Sequence, residues 1–330
     1  MTLRSVLVVM IIAAGALSSG AVQAAEKLRI GYWASGLGLA FGALLEQQKF
    51  LEKEGIEVEY VHFSDVNAPA KAVLTKNIDL AFAASALGSL ALAADGAPVK
   101  IVLATQVAEG KVVALESSPY RSITDLKGKK LGTLAVGSAN HALVTALLNR
   151  NYGIKPTDYE IATGSEAKLA QFLAQNEVQF AALRAITIEQ VSDSTRLHPL
   201  ISLVDEWQKL TASKTVPINA LTIVHADFSE RNPETIAKFI TAARKALAYG
   251  SAHKDQVAKL LETTANLPPR EAVAYANNWD GIFIADFGTD TLRAIKRLQS
   301  LFLEAGVLKA EAPESAFATQ YFTKAIAVDK

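Results

Sequence analysis

The fold of this chain is indicated by two stretches that repeat each other, "LRIGYWASG" (28–36) and "KLGTLAVGS" (130–138). Each reads as a short apolar strand, a turn that contains glycine, and the start of a helix. The glycines occupy matching positions in the two stretches. A spacing of about one hundred residues indicates an internal duplication of a whole α/β unit.

A second pair of stretches supports the duplication. "AVLTKNIDLAFAAS" (72–85) aligns without a gap with "FLAQNEVQFAALRA" (172–185) at an offset of 100 residues. Each copy reads as the end of a helix followed by a short buried strand. Each half is therefore predicted to run β-α-β-α-β. In the first half the strands lie near 28–33, 57–62 and 78–83, and the helices near 37–50 and 67–76. In the second half the strands lie near 130–134, 158–162 and 178–183, and the helices near 138–152 and 166–176.

Alternating strands and helices predict a parallel sheet with helices on both faces. The predicted fold class is thus α/β, with two similar lobes whose sheets have parallel cores and which surround a central cleft. Crossovers are expected near 105–110 and 216–222. Lobe 1 is expected to comprise 25–107 and 218–330, with the C-terminal helices packed on it, and lobe 2 to comprise 108–217.

Residues 1–24 form a separate unit that has the pattern of a cleavable signal peptide. Arg4 supplies the positive charge, and the apolar run 6–17 is too short to span a bilayer. Small residues precede the expected cleavage after Ala24. The alternative is a buried N-terminal helix, and it does not account for this order of charge, apolar run and small residues.

Composition narrows the compartment and the class of partner. Without the signal peptide, whose one charge is Arg4, the chain has 32 Lys and Arg against 33 Asp and Glu, for a net charge of −1. This gives no basic excess to bind nucleic acid. The chain has no cysteine, so it has neither thiol chemistry nor a lipid-modified cysteine anchor. A Gram-negative periplasm is the expected location, with secretion to the medium as the alternative.

Several stretches in order resemble a known family: "LRIGYWASG" (28–36), "NIDLAFAASA" (77–86), "SITDLKGKKLGT" (122–133) and "VPINALTIVHADFSERNPETIAKFITAARKAL" (216–247). The sequence resembles ABC-transporter periplasmic substrate-binding proteins of the nitrate/taurine/sulfonate branch, from about Leu28 to the C-terminus. The resemblance implies a type II periplasmic binding fold that closes on a small ligand. It also implies ABC permease and ATPase subunits in the inner membrane as partners.

The sequence departs from the family pattern at four places. Lys76 and Asn176 stand where the family places a glycine before a strand. Gln179 replaces an acidic residue at the strand of the second lobe, and "RAI" (184–186) replaces a "WEP"-like run after it. These departures bear on the identity of the ligand more than on the fold.

The predicted helix start Gly137-Ser138-Ala139-Asn140 is the first candidate ligand site. A helix N-terminus has unsatisfied N–H groups and a partial positive charge, and small side chains let an anion approach. The alternative is that Ser138 is only a helix N-cap. Both interpretations are open from the residues alone.

The matching loop of the first half, Trp33-Ala34-Ser35-Gly36-Leu37, is the second candidate. Trp33 is predicted either to stack on the ligand or to belong to the core, and Ser35, Gly36 and Leu37 are expected to face the first candidate site across the cleft. The glycines of 36–42 suggest a dinucleotide-binding turn, but their spacing does not fit the fingerprint.

Four further polar residues lie at predicted strand ends or crossovers. Arg184 is expected either to bind a carboxylate or sulfonate through two hydrogen bonds, or to be an exposed or ion-paired surface residue. Ser85 is expected to cap a helix, to bind ligand, or both. Gln106 and Asn219 are placed at the crossovers, where they contact the ligand or satisfy backbone groups.

No cofactor or metal is expected. The five histidines are scattered without metal-site spacing, and no P-loop or nucleophile elbow occurs. Trp279 is expected to pack in the core rather than to line the cleft.

The leading functional hypothesis is a monomeric binding protein, without catalysis, for a small anion: an alkyl- or aryl-sulfonate, taurine, nitrate or an aromatic carboxylate. One alternative is an enzyme on the same fold, such as a pyrimidine synthase, whose pattern uses cysteines, or a chorismate-dehydratase-like lyase, which is normally cytosolic. A second alternative is the ligand-sensing subunit of a receptor complex.

Overall fold

A computed structural model of the protein describes residues 27–34, 38–136 and 138–328. The predicted signal peptide lies outside these ranges, as do Ser35, Gly36, Leu37 and Gly137 of the candidate site. The described residues form two β-sheets flanked by helices. The strands are β1 (Leu28–Trp33), β2 (Val58–Phe63), β3 (Leu80–Ser85), β4 (Val99–Val107), β5 (Lys111–Leu115), β6 (Lys130–Thr133), β7 (Glu160–Thr163), β8 (Phe180–Leu183), β9 (Leu197–Ser202), β10 (Ile218–His225) and β11 (Phe283–Asp286).

Helices connect and cover these strands. Within the described ranges, none of them is long and apolar enough to span a bilayer. They are α1 (Leu39–Gln47), α2 (Phe50–Lys53), α3 (Ala68–Leu74), α4 (Ala86–Ala94), α5 (Ala139–Tyr152), α6 (Glu166–Ala174), α7 (Ala185–Val191), α8 (Leu203–Thr211), α9 (Ala226–Arg231), α10 (Pro233–Ala252), α11 (Lys254–Thr264), α12 (Pro269–Asn277), α13 (Trp279–Ile282), α14 (Thr289–Glu304) and α15 (Thr319–Val328).

The two sheets have the same strand order. The first runs β2-β1-β3-β10-β4-β11 and the second β7-β6-β8-β5-β9. In each sheet three parallel strands are followed by an inserted antiparallel strand, β10 in the first and β5 in the second. The α/β fold class with two similar parallel-core units is therefore confirmed. We call the first sheet with its helices the first lobe, and the second sheet with its helices the second lobe.

The duplication extends to single backbone angles. Lys76 and Asn176, which correspond in the repeat, both have a φ of 58° at the turn from helix to strand. This left-handed conformation is favourable for glycine and costs free energy for residues with a Cβ atom. It gives a physical reason why a glycine suits this position in related sequences.

Two details differ from the sequence prediction. The helix expected over 37–50 is two helices, because Lys49 adopts a left-handed φ of 53° between α1 and α2. The second link between the sheets spans 212–217, since α8 ends at Thr211 and β10 begins at Ile218. Asn219 therefore lies in a strand rather than in the link.

The residue before β3 joins the amino ends of two strands in the first lobe. The Asp79 carboxylate accepts hydrogen bonds from the Arg29 side chain, 2.6 Å from Nη2 and 3.0 Å from Nε, and from the Arg29 backbone N–H. In the second lobe the corresponding side chain is neutral: Gln179 Oε1 accepts from the backbone N–H of Lys130 at 3.2 Å. The geometry is shared, and only the first lobe carries the ion pair there.

The C-terminal helices pack on the first lobe, as expected, and some of them also contact the second. Helices α10, α11 and α15 pack on the first lobe, but α12 packs against α7 and α14 packs against α5 of the second. The Glu189 carboxylate on α7 accepts from the Asn278 amide at 2.7 Å, and Arg150 on α5 pairs with Glu304 on α14. The apolar core is continuous across the α5 and α14 contact.

Candidate ligand-binding site

The two sheets direct the same edge toward each other. Strand β4 runs parallel to β1 and β3, so the short link 108–110 leaves the carboxyl edge of the first sheet. Strand β5 is antiparallel to β8, so the same link enters the second sheet at its carboxyl edge. The link 212–217, from α8 to β10, enters the first sheet at its carboxyl edge, because β10 is antiparallel to β3. In open α/β sheets, ligands bind outside the carboxyl ends of the strands.

Helix α5 begins at this edge, directly after β6. Ser138 is its N-cap, and the Ser138 hydroxyl oxygen accepts from the backbone N–H of His141 at 3.2 Å. Ala139 and Asn140, in the first turn, have no intrahelical acceptor for their N–H groups, because a helix leaves its first donors unpaired. The Asn140 side-chain Oδ1 is buried and has no hydrogen-bond partner among the described residues. The helix start is both capped and open to a ligand.

The side chain of His141 ties the start of α5 to the end of β6, a contact that the sequence did not predict. The Thr133 hydroxyl donates to the Leu134 carbonyl at 2.9 Å, so at the 3.0 Å contact His141 Nδ1 must be the donor to Thr133. Burial lowers the pKa of His141. The imidazole therefore stays neutral at neutral pH and holds the turn by a hydrogen bond rather than by charge.

Trp33 ends β1 at the carboxyl edge of the first sheet. Its side chain is half-buried, and its indole Nε1 is buried without a hydrogen-bond partner within the described part of the chain. An indole N–H can only donate, so it needs an acceptor, which a ligand or water could supply. The first-lobe helix that follows, α1, has Gly38 at its N-cap position and no side-chain cap.

Ser85 ends β3 and occupies the N-cap position of α4, as expected, but its hydroxyl makes no capping hydrogen bond. The residue is half-buried at the carboxyl edge. It therefore remains available to a ligand.

Gln106 and Asn219 lie on the adjacent strands β4 and β10, not in the links. The Asn219 amide donates to Gln106 Oε1 at 3.0 Å, and Gln106 is 2% exposed. The pair joins the two strands where the first sheet meets both links. The Asn219 amide and Gln106 Oε1 are therefore engaged in a structural hydrogen bond between the two strands.

Arg184 follows β8, and it is paired rather than free. Its Nε donates to Glu166 Oε1 at 2.6 Å, and its backbone N–H donates to Glu166 Oε2 at 3.2 Å. The Thr187 hydroxyl also donates to Glu166. Burial raises the pKa of the Tyr275 hydroxyl, and the nearby Arg184 charge opposes that rise. The Arg184 side chain is 23% exposed. Since a guanidinium has five N–H donors, its Nη groups keep donors beyond these contacts.

Glu109, in the link 108–110, is a site residue that the sequence analysis missed. It is 8% exposed, and its Oε2 accepts from the backbone N–H of Ala185 at 2.9 Å. Burial raises its pKa to about 7, against the opposing effect of the Arg184 charge. A single glutamate between two strands has no spacing pattern, so the sequence offered no signal for it.

Three groups thus lie at the carboxyl edges of the two sheets: the start of α5, the ends of the first-lobe strands, and the cluster of Arg184, Glu166 and Glu109. Trp279 is not among them. It is fully buried against Phe41 and Phe283, and its indole N–H donates to the Leu247 carbonyl at 3.1 Å. The packing role predicted for it is confirmed.

The common strand order, the inserted antiparallel strands and the two links between facing edges define a class: the fold is that of the periplasmic binding proteins. The model of the NMT1/THI5-like family matches residues 41–257, which is more than half of the chain. The chain belongs to this family. The resemblance found in the sequence is confirmed at the level of family and fold.

Relatives of known name include both binding proteins and enzymes. The chain is 24% identical over 240 residues to a protein of Brucella abortus described as a binding protein, covering 69% of this chain and 68% of that one. It is 23% identical over 214 residues to a 4-amino-5-hydroxymethyl-2-methylpyrimidine phosphate synthase of Saccharomyces cerevisiae, covering 62% and 61%.

Solved structures share the fold at low sequence identity. The periplasmic aliphatic sulphonate binding protein of Escherichia coli aligns with a TM-score of 0.73 at 21% identity, over 87% of this chain and 90% of that one. A periplasmic sulfonate-binding protein of Methylobacillus flagellatus aligns with a TM-score of 0.74 at 19% identity, over 92% and 94%. A desulfurization enzyme aligns with a TM-score of 0.67 at 13% identity, over 92% and 100%.

Proposed function

We propose that this protein is the periplasmic solute-binding component of an ABC importer and that it has no catalytic activity. It captures a small anion of the sulfonate, taurine, nitrate or aromatic carboxylate class between its lobes and delivers it to a permease with an ATPase subunit. The chain is exported by cleavage after Ala24 and acts as a monomer. The lobes divide at the two links, as 25–107 with 218–330 and 108–217.

The observation that carries this proposal is the start of α5. Ala139 and Asn140 present unpaired backbone N–H groups at the carboxyl edge, and Ser138 already caps the helix without blocking them. Such a helix start stabilises an anion through both its donors and its dipole. The unpaired Trp33 indole N–H on the opposing edge supplies a further donor.

Binding rather than catalysis is favoured by the chemistry of the side chains at this edge. The chain has no cysteine to act as a nucleophile. His141 donates through Nδ1 to Thr133 and has a lowered pKa, so it is engaged as a structural group. Arg184 and Glu166 neutralise each other.

The test begins with a thermal-shift screen of anions, followed by calorimetric titration of the best binder. Ala139→Glu places a negative charge and bulk at the donors and is expected to weaken binding at least about 100-fold, because like charges repel in a partly buried site. Ser138→Ala is expected to cost about 1 kcal/mol of binding through the lost hydroxyl.

Two controls separate binding from folding. Thr289→Glu adds the same charge to the exposed first turn of α14, and Ser122→Ala removes an exposed capping serine from the turn ahead of the amino end of β6. Both are expected to bind like the wild type. If Ala139→Glu also binds like the wild type, α5 is only a capped structural helix and the anion site lies elsewhere. Turnover of a bound ligand in the same samples would show an enzyme instead.

A further inference from the structure

The link 108–110 holds Glu109 firmly between the two lobes. The backbone N–H of Ala108 donates to the Pro217 carbonyl of the other link at 2.8 Å. A Cβ atom on Gly110 would come within 3.3 Å of the Leu183 carbonyl, so the link is pressed against the end of β8. The Glu109 side chain therefore extends from a fixed backbone at the facing edges.

The two carboxylate oxygens of Glu109 differ in their surroundings. Oε2 accepts from the backbone N–H of Ala185 at 2.9 Å. Oε1 is buried and has no hydrogen-bond partner among residues 27–34, 38–136 and 138–328. With 8% of the residue exposed, water reaches it poorly. A buried carboxylate oxygen without a donor is costly, so it is a place where a ligand's donor would gain most.

The charges around Glu109 leave it only partly compensated. Arg184 is the one cation of the buried cluster, and Glu166 takes its Nε and backbone N–H. Glu166 raises the pKa of Glu109, while Arg184 and the exposed Lys111 lower it, and burial outweighs them all. Two carboxylates thus share one guanidinium. When Glu109 is ionised, the cluster has an excess of negative charge.

We propose that Glu109 is a specificity-determining residue that selects ligands with a positively charged or N–H donor group at the end opposite the anion. This inference rests on the proposed function and deepens it. The anion meets the N–H groups at the start of α5, and the ligand's donor meets Glu109 Oε1. The preferred ligand is then a small amino-bearing anion or zwitterion rather than a plain alkanesulfonate or nitrate.

The alternative at this position is a protonated Glu109 that donates to the ligand's anionic group. The two arrangements have opposite pH dependence. Glu109 accepts when ionised, and its pKa is about 7, so the preference for an amino-bearing ligand grows as the pH rises from about 6 to 8. A donating Glu109 would instead strengthen binding of any anion as the pH falls through the same range.

The experiment compares matched ligands by calorimetric titration of the mature protein. One pair is 2-aminoethanesulfonate and ethanesulfonate, and the other is 3-aminopropanoate and propanoate. In each pair the amino group is the only difference. The wild type is expected to bind the amino-bearing member of at least one pair about 10-fold or more tightly than its partner at pH 8. Glu109→Gln is expected to remove this preference, and Glu160→Gln, on an exposed side chain, to keep it.

The outcomes separate this inference from the proposed function. If the plain anions bind as tightly as the amino-bearing ones, or Glu109→Gln keeps the preference, the role of Glu109 is wrong while the anion-binding function stands. Binding that tightens for both members as the pH falls also overturns it. If no anion of either pair, nor nitrate or benzoate, binds the wild type, both the function and the inference fail.

Discussion

The two lobes place their partly buried ion pairs at opposite edges of equivalent sheets. In the first lobe Arg29 and Asp79 pair at the amino ends of β1 and β3, away from the facing edges. In the second lobe Arg184 and Glu166 pair at the carboxyl ends of β8 and β7, next to the candidate site. At the offset of 100 residues Gln179 corresponds to Asp79 and Ala84 corresponds to Arg184, so each equivalent position is neutral.

This difference shows that two copies of a fold can keep the same backbone features and still contribute different groups to a site. Both copies keep the backbone features that fold the unit, such as the left-handed turn before the third strand. Charge at the site comes from the second lobe and the link, whereas the first lobe offers a hydroxyl and an indole N–H from Ser85 and Trp33. The first lobe is thus suited to shape the site and the second to set its charge.

Substituting the two arginines is the most direct test of the difference between the lobes. Arg184→Ala leaves the Glu166 and Glu109 carboxylates without their cation and is expected to lower the free energy of unfolding by about 3 kcal/mol. Arg29→Ala is expected to cost less, about 1–2 kcal/mol, because its pair is more exposed to water and Asp79 keeps a backbone donor. Urea denaturation measures both.

Ligand titration of the same two variants tests the division of work. Arg184→Ala is expected to weaken ligand binding, and Arg29→Ala is expected to leave the ligand affinity unchanged. Equal effects of the two variants on affinity would mean that the position of the ion pair has no bearing on binding. A conservative Arg184→Lys variant that restores stability but not affinity would sharpen the case for its Nη donors.

A smaller effect is expected from pH and Glu109. Its pKa in the folded protein, about 7, lies above the ordinary 4.5, so the folded state binds more protons between these values. Protonated Glu109 therefore makes its full contribution to the free energy of unfolding below pH 4.5. This contribution falls as the pH rises and is lost above pH 7. Glu109→Gln cannot titrate, so its stability is expected to gain about 2 kcal/mol on the wild type across this window.

Thermal or urea unfolding at pH 5 and pH 8 measures that gain as a difference between variant and wild type. Glu160→Gln serves as the control, because its side chain is 77% exposed. A constant difference between Glu109→Gln and the wild type at both pH values would contradict the raised pKa.

The smallest effects concern the shared left-handed turn. Lys76→Gly is expected to raise the free energy of unfolding by about 0.5–1 kcal/mol, because glycine adopts this φ without strain. Asn176→Gly is expected to gain less, since asparagine tolerates the conformation. Unfolding at high salt removes the exposed Lys76 and Asp227 ion pair from the comparison. A loss of stability in both variants would show that the turns are not strained.

Much of the fold could be predicted because its signals are local. The six strands of the duplicated unit lie within two residues of their predicted positions, since apolar runs and turn residues determine them. The inserted strand β10 and the contacts of α12 and α14 with the second lobe could not be located this way. They depend on contacts between segments that are far apart in sequence, as in the register of Ala220 with Ser85.

The candidate site was predictable where it is made of backbone and not where it is made of paired charges. The start of α5 follows from a strand, a glycine and a serine N-cap, which are neighbours in sequence. Arg184 was identified, but Glu166 as its partner was not, because the two meet only when β7 and β8 lie in one sheet. Whether Ser138, Arg184 and Ser85 contact the ligand stays a prediction.

The insertion of β10 also bears on the order in which the chain can fold as it emerges from a ribosome or a translocation pore. The second sheet needs only residues 111–202, so it is complete early. The first sheet begins nearer the N-terminus but lacks the strand between β3 and β4 until residue 225 has emerged. Until then β3 and β4 have unpaired edges, which are templates for aggregation. The half that starts first finishes last, and a chaperone that shields these edges would act on it longest.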